Sequence, residues 1–262
     1  MTPESAGPPL YAEAHDGTLI AYRVSAASAP DDARPVLLVH GFASDAETTW
    51  IRTGWVRALN AAGRPVITVD LRGHGASDAP ITADAYAPAV LGADLLAVLD
   101  SAGADTVDVV AYSLGNRVVS ALAELAPERI ASVVIGGAGP RELFAAWDLD
   151  EARAYIIEDR KPGNPLIAQV LGPALEAGAD PSVLLAVIAG MSGSELAVPG
   201  GIRTLFVVGE NDPVPAGAQD LAHEWGAGFV TVPGRDHIST LTSRHFKDAV
   251  LGFLDGGGAD TA

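Results

Sequence analysis

The sequence predicts an α/β fold: a mostly parallel central sheet with helices on both faces, an antiparallel N-terminal hairpin at one edge, and a small helical lid inserted late. Three observations carry this expectation. Short apolar runs alternate with stretches of helical periodicity through most of the chain, the pattern of buried parallel strands and their covering helices. Near the start, Leu10 to Ala14 and Thr18 to Val24 flank His15-Asp16-Gly17, a hairpin signal. Around Ser113, an apolar run (Val107 to Ala111) passes through a tight turn into a helical stretch. Small residues, Ala111 and Gly115, stand two positions either side of the serine.

The elements follow in order. Residues 1–9 read as a loose polar arm, and Pro30 to Arg34 as a turn. Pro35 to His40 is a buried strand, Trp50 to Ala62 a helix stopped at Gly63, and Pro65 to Val69 the next strand. A glycine-rich loop, Asp70 to Asp78, leads to a helix over Pro88 to Ala102. Val107 to Ala111, Asn116 to Leu125 and Ser132 to Ile135 continue the alternation as strand, helix and strand. The rhythm then breaks. Residues 141–200 contain helical patterns (Phe144 to Ile156, Leu166 to Leu175, Val183 to Met191) and no convincing strand. They are expected to form the lid on a core made of residues 1–140 and 201–255. Arg203 to Val208, Gly217 to Trp225 and Phe229 to Val232 resume the alternation, Leu241 to Leu254 closes it, and 256–262 read as a disordered tail.

Composition narrows the function classes. The 262 residues carry a formal charge of −17, which disfavours nucleic acid and anionic membrane, both polyanions. There are no cysteines, hence no disulfide, thiolate metal site or thiol redox chemistry. The histidines show no ligand spacing, so neither metal nor other cofactor is expected. Met1 to Asp16 has no basic region followed by an apolar one, so the expectation is a cytoplasmic protein. Its partner would be a small-molecule substrate, and its state a monomer or small homo-oligomer.

In a doubly wound sheet, sites gather at the carboxyl ends of the strands. Phe42, Asp70 to Asp78, Ser113, Gly136 to Pro140, Asp212 and His237 all stand at such ends. A serine hydroxyl needs a base in hydrogen-bond reach, and the base needs an orienting partner. His237 follows the last strand in a loop after Gly234, and Asp212 ends the strand before it. Glu210 and Asp236 are rivals to Asp212. His40, Arg72, His74 and Asp78 read as residues that pin loops by hydrogen bonds.

Five pieces in order resemble the α/β-hydrolase family over about Leu10 to Leu254: His40-Gly41-Phe42, Asp70 to Ser77, Ala111-Tyr112-Ser113-Leu114-Gly115, Gly209 to Val214, and Gly234 to His237. The resemblance implies that Ser113 is the nucleophile, His237 the general base and Asp212 its orienter, in the family's Ser…Asp…His order. It implies an oxyanion hole from the backbone N–H groups of Phe42 and Leu114. A serine rather than an aspartate nucleophile sets the chain apart from the family's dehalogenases and epoxide hydrolases. The sequence departs from the commonest pattern at Ala111, Tyr112 and Asn116.

The expected activity is hydrolysis of a small to medium, mostly apolar carboxylic ester. Lactone, amide or carbon–carbon hydrolysis, cofactor-free peroxidation, and a ligand-binding signalling module on the same fold stay open. Phe144, Trp147, Met191, Val214 and Ile238, with Phe42 and Leu114, are candidate pocket residues; core packing is the competing role for the aromatics. Lys161 reads as a solvated lid lysine.

Overall fold

A computed structural model describes residues 7–26 and 33–256. The expectations for the first residues of the arm, most of the turn at 30–34 and residues 257–262 of the tail lie outside that range. Eight strands form one sheet in the order β1-β2-β4-β3-β5-β6-β7-β8. They are β1 (Leu10–Glu13), β2 (Leu19–Ser25), β3 (Val36–Val39), β4 (Val66–Val69), β5 (Val107–Tyr112), β6 (Ile130–Gly136), β7 (Arg203–Gly209) and β8 (Gly228–Val232). The β1–β2 and β2–β4 pairings are antiparallel and the rest are parallel. The Asp-Gly hairpin therefore lies at one edge, as predicted.

The sheet is buried on both faces, which is why its central strands are apolar without interruption. Alternate residues enter opposite cores. Leu37, Val39, Val109, Ala111, Ile135 and Phe206 pack on one side. Val36, Leu38, Val110, Tyr112, Val134 and Leu205 pack on the other. The first core takes helices α2 (Pro88–Ser101) and α3 (Gly115–Leu125); the second takes α1 (Trp55–Ala61) and α9 (Arg244–Leu254).

Between β6 and β7 lie α4 (Leu149–Glu158), α5 (Pro165–Glu176) and α6 (Pro181–Met191), followed after β7 by α7 (Ala218–Trp225) and after β8 by α8 (His237–Leu241). Side chains of Asp148, Asn164 and Asp180 accept backbone N–H bonds and start α4, α5 and α6, two of them with proline in the first turn.

Three local expectations are corrected. The helix read over Trp50 to Ala62 is a π-helical turn at Glu47–Ile51 followed by α1, because Gly54 adopts a left-handed φ of 79° between them. The pattern from Phe144 to Ile156 is broken: a 3₁₀ turn at Phe144–Ala146 ends in extended Trp147, and the Asp148 cap begins α4 afresh. His237 is the first residue of a short helix, not a loop residue. The Asp236 carboxylate accepts from the Ile238 and Ser239 N–H groups while the Ser239 hydroxyl accepts from the Asp236 N–H, a reciprocal cap. A Ser243 cap then starts α9 separately.

One buried ion cluster ties the hairpin to the body. Arg72, 1% exposed, makes two 2.8 Å bonds to the Asp94 carboxylate on α2 and a 2.6 Å bond to Asp16 in the hairpin turn. Asp78 accepts from the Leu19 N–H at 2.8 Å. Removing one member of a buried pair strands the other's charge, at about 3–5 kcal/mol. Asp94→Ala is therefore expected to lower unfolding stability by about that amount in urea titrations at neutral pH. The double variant Asp94→Leu/Arg72→Met should recover most of the loss.

Candidate active site

The site forms where the strand order reverses. The chain passes from β3 to β4 on one side, and β5 then returns to the other side of β3, which opens a crevice beyond their carboxyl ends. The turns leaving β3 and β5 meet there. Ser113, between β5 and α3, has a φ of 52°, a left-handed conformation rare outside glycine. Its N–H donates to the Gly136 carbonyl at 2.9 Å. Asn116 supports the turn from within α3, donating to the carbonyls of Ser113 (3.0 Å) and Gly136 (2.9 Å). Asparagine here satisfies local backbone.

Two glycines let the loops close on each other. A Cβ on Gly115 would lie 2.4 Å from the His40 carbonyl oxygen and 2.7 Å from that of Val39. A Cβ on Gly41 would lie 3.1 Å from the Ser113 Cβ. Ala111, on the β5 side of the turn, is fully buried and needs no glycine.

The predicted trio comes together. His237 Nε2 lies 3.1 Å from Ser113 Oγ, and His237 Nδ1 lies 2.7 Å from Asp212 Oδ2. With the carboxylate accepting from Nδ1–H, Nε2 is left to accept the serine proton. The Asp212 side chain is wholly buried, and its other oxygen accepts from the Val214 N–H at 2.9 Å. The rivals are occupied elsewhere: Asp236 caps α8, and Glu210 accepts from the Gly234 N–H. Tyr112 adds a hold absent from the sequence reading. Its hydroxyl donates to the His237 carbonyl, and its ring lies 5.2 Å from the imidazole. Burial, with Asp212 nearby, keeps that phenol protonated well above its usual range.

Among the described residues, the backbone N–H groups of Phe42 and Leu114 make no hydrogen bond, and both residues line the cleft with Ser113. The Phe42 loop is held by two buried histidines. His40 donates from Nδ1 to the Gly41 carbonyl and accepts at Nε2 from the Leu71 N–H. His74 donates to the Arg72 carbonyl and accepts from the Ala43 N–H at 3.1 Å, pinning Ala43 at a φ of 53°. Both therefore act as loop fasteners, as does Arg72.

The cleft beside Ser113 opens to solvent. Phe42, Leu114, Phe144 and Val214 line it as expected. Trp147, Met191 and Ile238 do not. Trp147 packs behind Phe144 at 5.2 Å, Met191 is fully buried at the end of α6, and Ile238 is 74% exposed because the Asp236 cap turns it outward. Arg117, Arg141 and Glu142 also line the cleft, without any motif to mark them in the sequence. Arg117 stands four residues after Ser113, in the first turn of α3, and that nearness in sequence is the available signal. Among the described residues no three His, Asp or Glu side chains gather as metal ligands, and no helix is long and apolar enough to cross a membrane.

Two measurements check this architecture. Gly115→Ala should cost about 1–3 kcal/mol or more in urea unfolding, since backbone carbonyls must give way. Gly252→Ala in α9, where a Cβ meets nothing within 4 Å, should be neutral or stabilising. The second concerns pH. Burial, then His40 beside it, pushes the His74 imidazole from 6.5 down to about 3. The unfolded chain takes up that proton first, so this stability is complete above pH 6.5 and is lost as pH falls toward 3. The slope is about 1.4 kcal/mol per pH unit for one proton. His74→Gln, which keeps an acceptor for Ala43, should flatten the stability–pH curve by about that slope in this window.

Comparisons with known proteins agree with the fold. The family model for the alpha/beta hydrolase fold matches residues 34–163. A Bacillus subtilis protein named as a 2-succinyl-6-hydroxy-2,4-cyclohexadiene-1-carboxylate synthase is 28% identical over 132 residues, 50% of this chain and 45% of that protein. Epoxide hydrolase B of Mycobacterium tuberculosis is 38% identical over 108 residues, 41% of this chain and 30% of the relative. The matches thus span less than half the length of these two relatives. The crystal structure of a hydrolase from Pseudomonas aeruginosa superposes with a TM-score of 0.75 at 27% identity, covering 95% of this chain and 99% of that one. With its mostly parallel sheet, its antiparallel edge and its strand-end site, the chain belongs to the alpha/beta hydrolase fold family.

Proposed function

We propose that this hydrolase-family chain is a serine hydrolase of small to medium carboxylic esters, acting through an acyl-enzyme on Ser113. The observation that carries the reading is the continuous relay Ser113 Oγ–His237–Asp212 at 3.1 and 2.7 Å. In this reading His237 takes the serine proton as Oγ attacks the ester carbonyl. The oxyanion that forms accepts from the free N–H groups of Phe42 and Leu114, the latter at the positive end of α3. Collapse expels the alcohol, protonated by His237. Water, deprotonated by the same imidazole, then cleaves the acyl-enzyme. The buried Asp212 carboxylate stabilises the imidazolium in both halves.

The lining of the cleft supports the substrate class. Apolar walls from Phe42, Leu114, Phe144 and Val214 suit a short acyl or alcohol group. The segment 141–200 is the lid in this reading, and it contributes Phe144 through its first turn. A serine in the elbow favours carbonyl substrates over the epoxides named for the Mycobacterium relative.

Initial rates on p-nitrophenyl butyrate test the roles. Ser113→Ala should lower kcat by at least about 10⁴-fold, and Asp212→Asn by about the same factor. Asp236→Asn should leave kcat within a few-fold. Undiminished hydrolysis by Ser113→Ala would overturn the mechanism, and a larger loss for Asp236→Asn than for Asp212→Asn would move the orienting role.

A further inference from the structure

We propose that Arg117 anchors a carboxylate carried by the substrate, so that the preferred esters are half-esters of short dicarboxylic acids. This rests on the reading of Ser113 as the nucleophile of an esterase. Arg117 lines the same cleft as Ser113 yet is only 4% exposed. One terminal nitrogen donates to the Gly139 carbonyl; the other, Nη1, is buried without a hydrogen-bond partner. Among the described residues, no carboxylate comes within 4.0 Å of the guanidinium. Glu142, the acid in the cleft wall, has both oxygens engaged, by the Phe144 N–H at 2.7 Å and the Gly193 N–H at 3.2 Å.

Three costs coincide at this side chain. A guanidinium is desolvated, and burial pulls its proton affinity down even though Glu142 and Glu195 oppose that from a distance. It sits in the first turn of α3, where the helix end is already positive. One of its nitrogens is unsatisfied. A side chain that only tied α3 to the Gly139 loop would recover none of these. An incoming carboxylate offsets all three together: it supplies the counter-charge, the missing acceptors and an anion at a helix N-terminus. A neutral carbonyl would supply an acceptor alone.

Position fixes where the carboxylate sits on the substrate. Ser113, in the turn before α3, and Arg117, in the first turn of α3, line one cleft. A carboxylate a few bonds from the reacting carbonyl can therefore meet the guanidinium while that carbonyl meets Ser113. Succinyl and glutaryl half-esters have that length, and the apolar lining accommodates the methylene bridge.

Turnover and binding are tested separately. In the wild type, p-nitrophenyl hemiglutarate should be hydrolysed with a kcat/KM at least about tenfold above that of p-nitrophenyl pentanoate, its uncharged counterpart. Arg117→Met should cut the hemiglutarate value about tenfold to a hundredfold and the pentanoate value less than about threefold, with Arg117→Lys between the two. Equal losses on both esters, or no preference in the wild type, would overturn the anchor. Calorimetry on Ser113→Ala needs no turnover. Glutarate should bind at least about tenfold more tightly than glutaramide, and the margin should vanish in Ser113→Ala/Arg117→Met. Glutarate binding through Arg117 with both esters inert would sustain the anchor and reject the esterase reading. Pentanoate hydrolysis with no margin for glutarate over glutaramide would do the reverse. Thermal unfolding checks that each variant is folded, and the wild-type comparisons stand without any variant at Arg117.

Discussion

Everything in the site depends on how closely two turns can approach. The turn after β5 must swing Ser113 into a left-handed conformation, and α3 must begin within contact distance of the end of β3. Gly115 against the Val39 and His40 carbonyls sets that distance, leaving no room for a Cβ. Once the approach is made, several features follow without further tuning. The serine side chain stands clear of the sheet. Leu114 presents its N–H toward the crevice instead of to a helical partner. Gly41 and Phe42 come alongside, so a second free N–H arrives from a strand that is distant in sequence but adjacent in the sheet. The strained φ at Ser113, a class of distortion costing about 1–3 kcal/mol, persists because its backbone N–H and carbonyl are both held, through Gly136 and Asn116.

The loops around that turn are fastened by buried polar groups rather than by apolar packing. His40 and His74 each use one ring nitrogen as donor and the other as acceptor, so both are satisfied only when neutral. Asp70 accepts from the Ala46 and Ala76 N–H groups and so joins the two loops that carry these histidines. Arg72, between them, is held by Asp94 and Asp16. A polar network of this kind contributes little net stability per bond, but it fixes backbone geometry sharply, since each buried group has one satisfying arrangement. That is the requirement for two N–H groups that must point at one atom.

Strand ends were the legible part of this chain. Parallel strands buried on both faces read as uninterrupted apolar runs, so Ser113, Asp212 and His237 could be placed at one edge before any geometry was known. Asp212 could not be separated from Asp236 by placement alone; the separation came from the Asp236 carboxylate capping α8 through Oδ1 while Asp212 meets His237. Breaks inside helical patterns were illegible for a related reason. Gly54, Asp148 and Ser243 each end one element and begin another, and periodicity alone runs straight through such caps. Ile238 was misplaced because adjacency to His237 in sequence says nothing of direction, and on a helix the next residue points about 100° away.

Arg117 was invisible for a different reason: its meaning lies in what it lacks. An arginine in a helix reads as a solvated or paired side chain, and only burial together with an unsatisfied Nη1 sets it apart. This changes where specificity is located. The helices between β6 and β7 have no motif that names a substrate, and most of their apolar residues, Met191 among them, are spent on packing. The charge that can discriminate between ligands sits on α3, on the same rigid element that positions the proposed nucleophile. Ser113, in the turn that leads into α3, and Arg117, in the first turn of α3, hold their separation whatever the segment above them does. A substrate spanning Arg117 and Ser113 would therefore be measured by the core of the fold, and the residues of 141–200 would shape only what surrounds it.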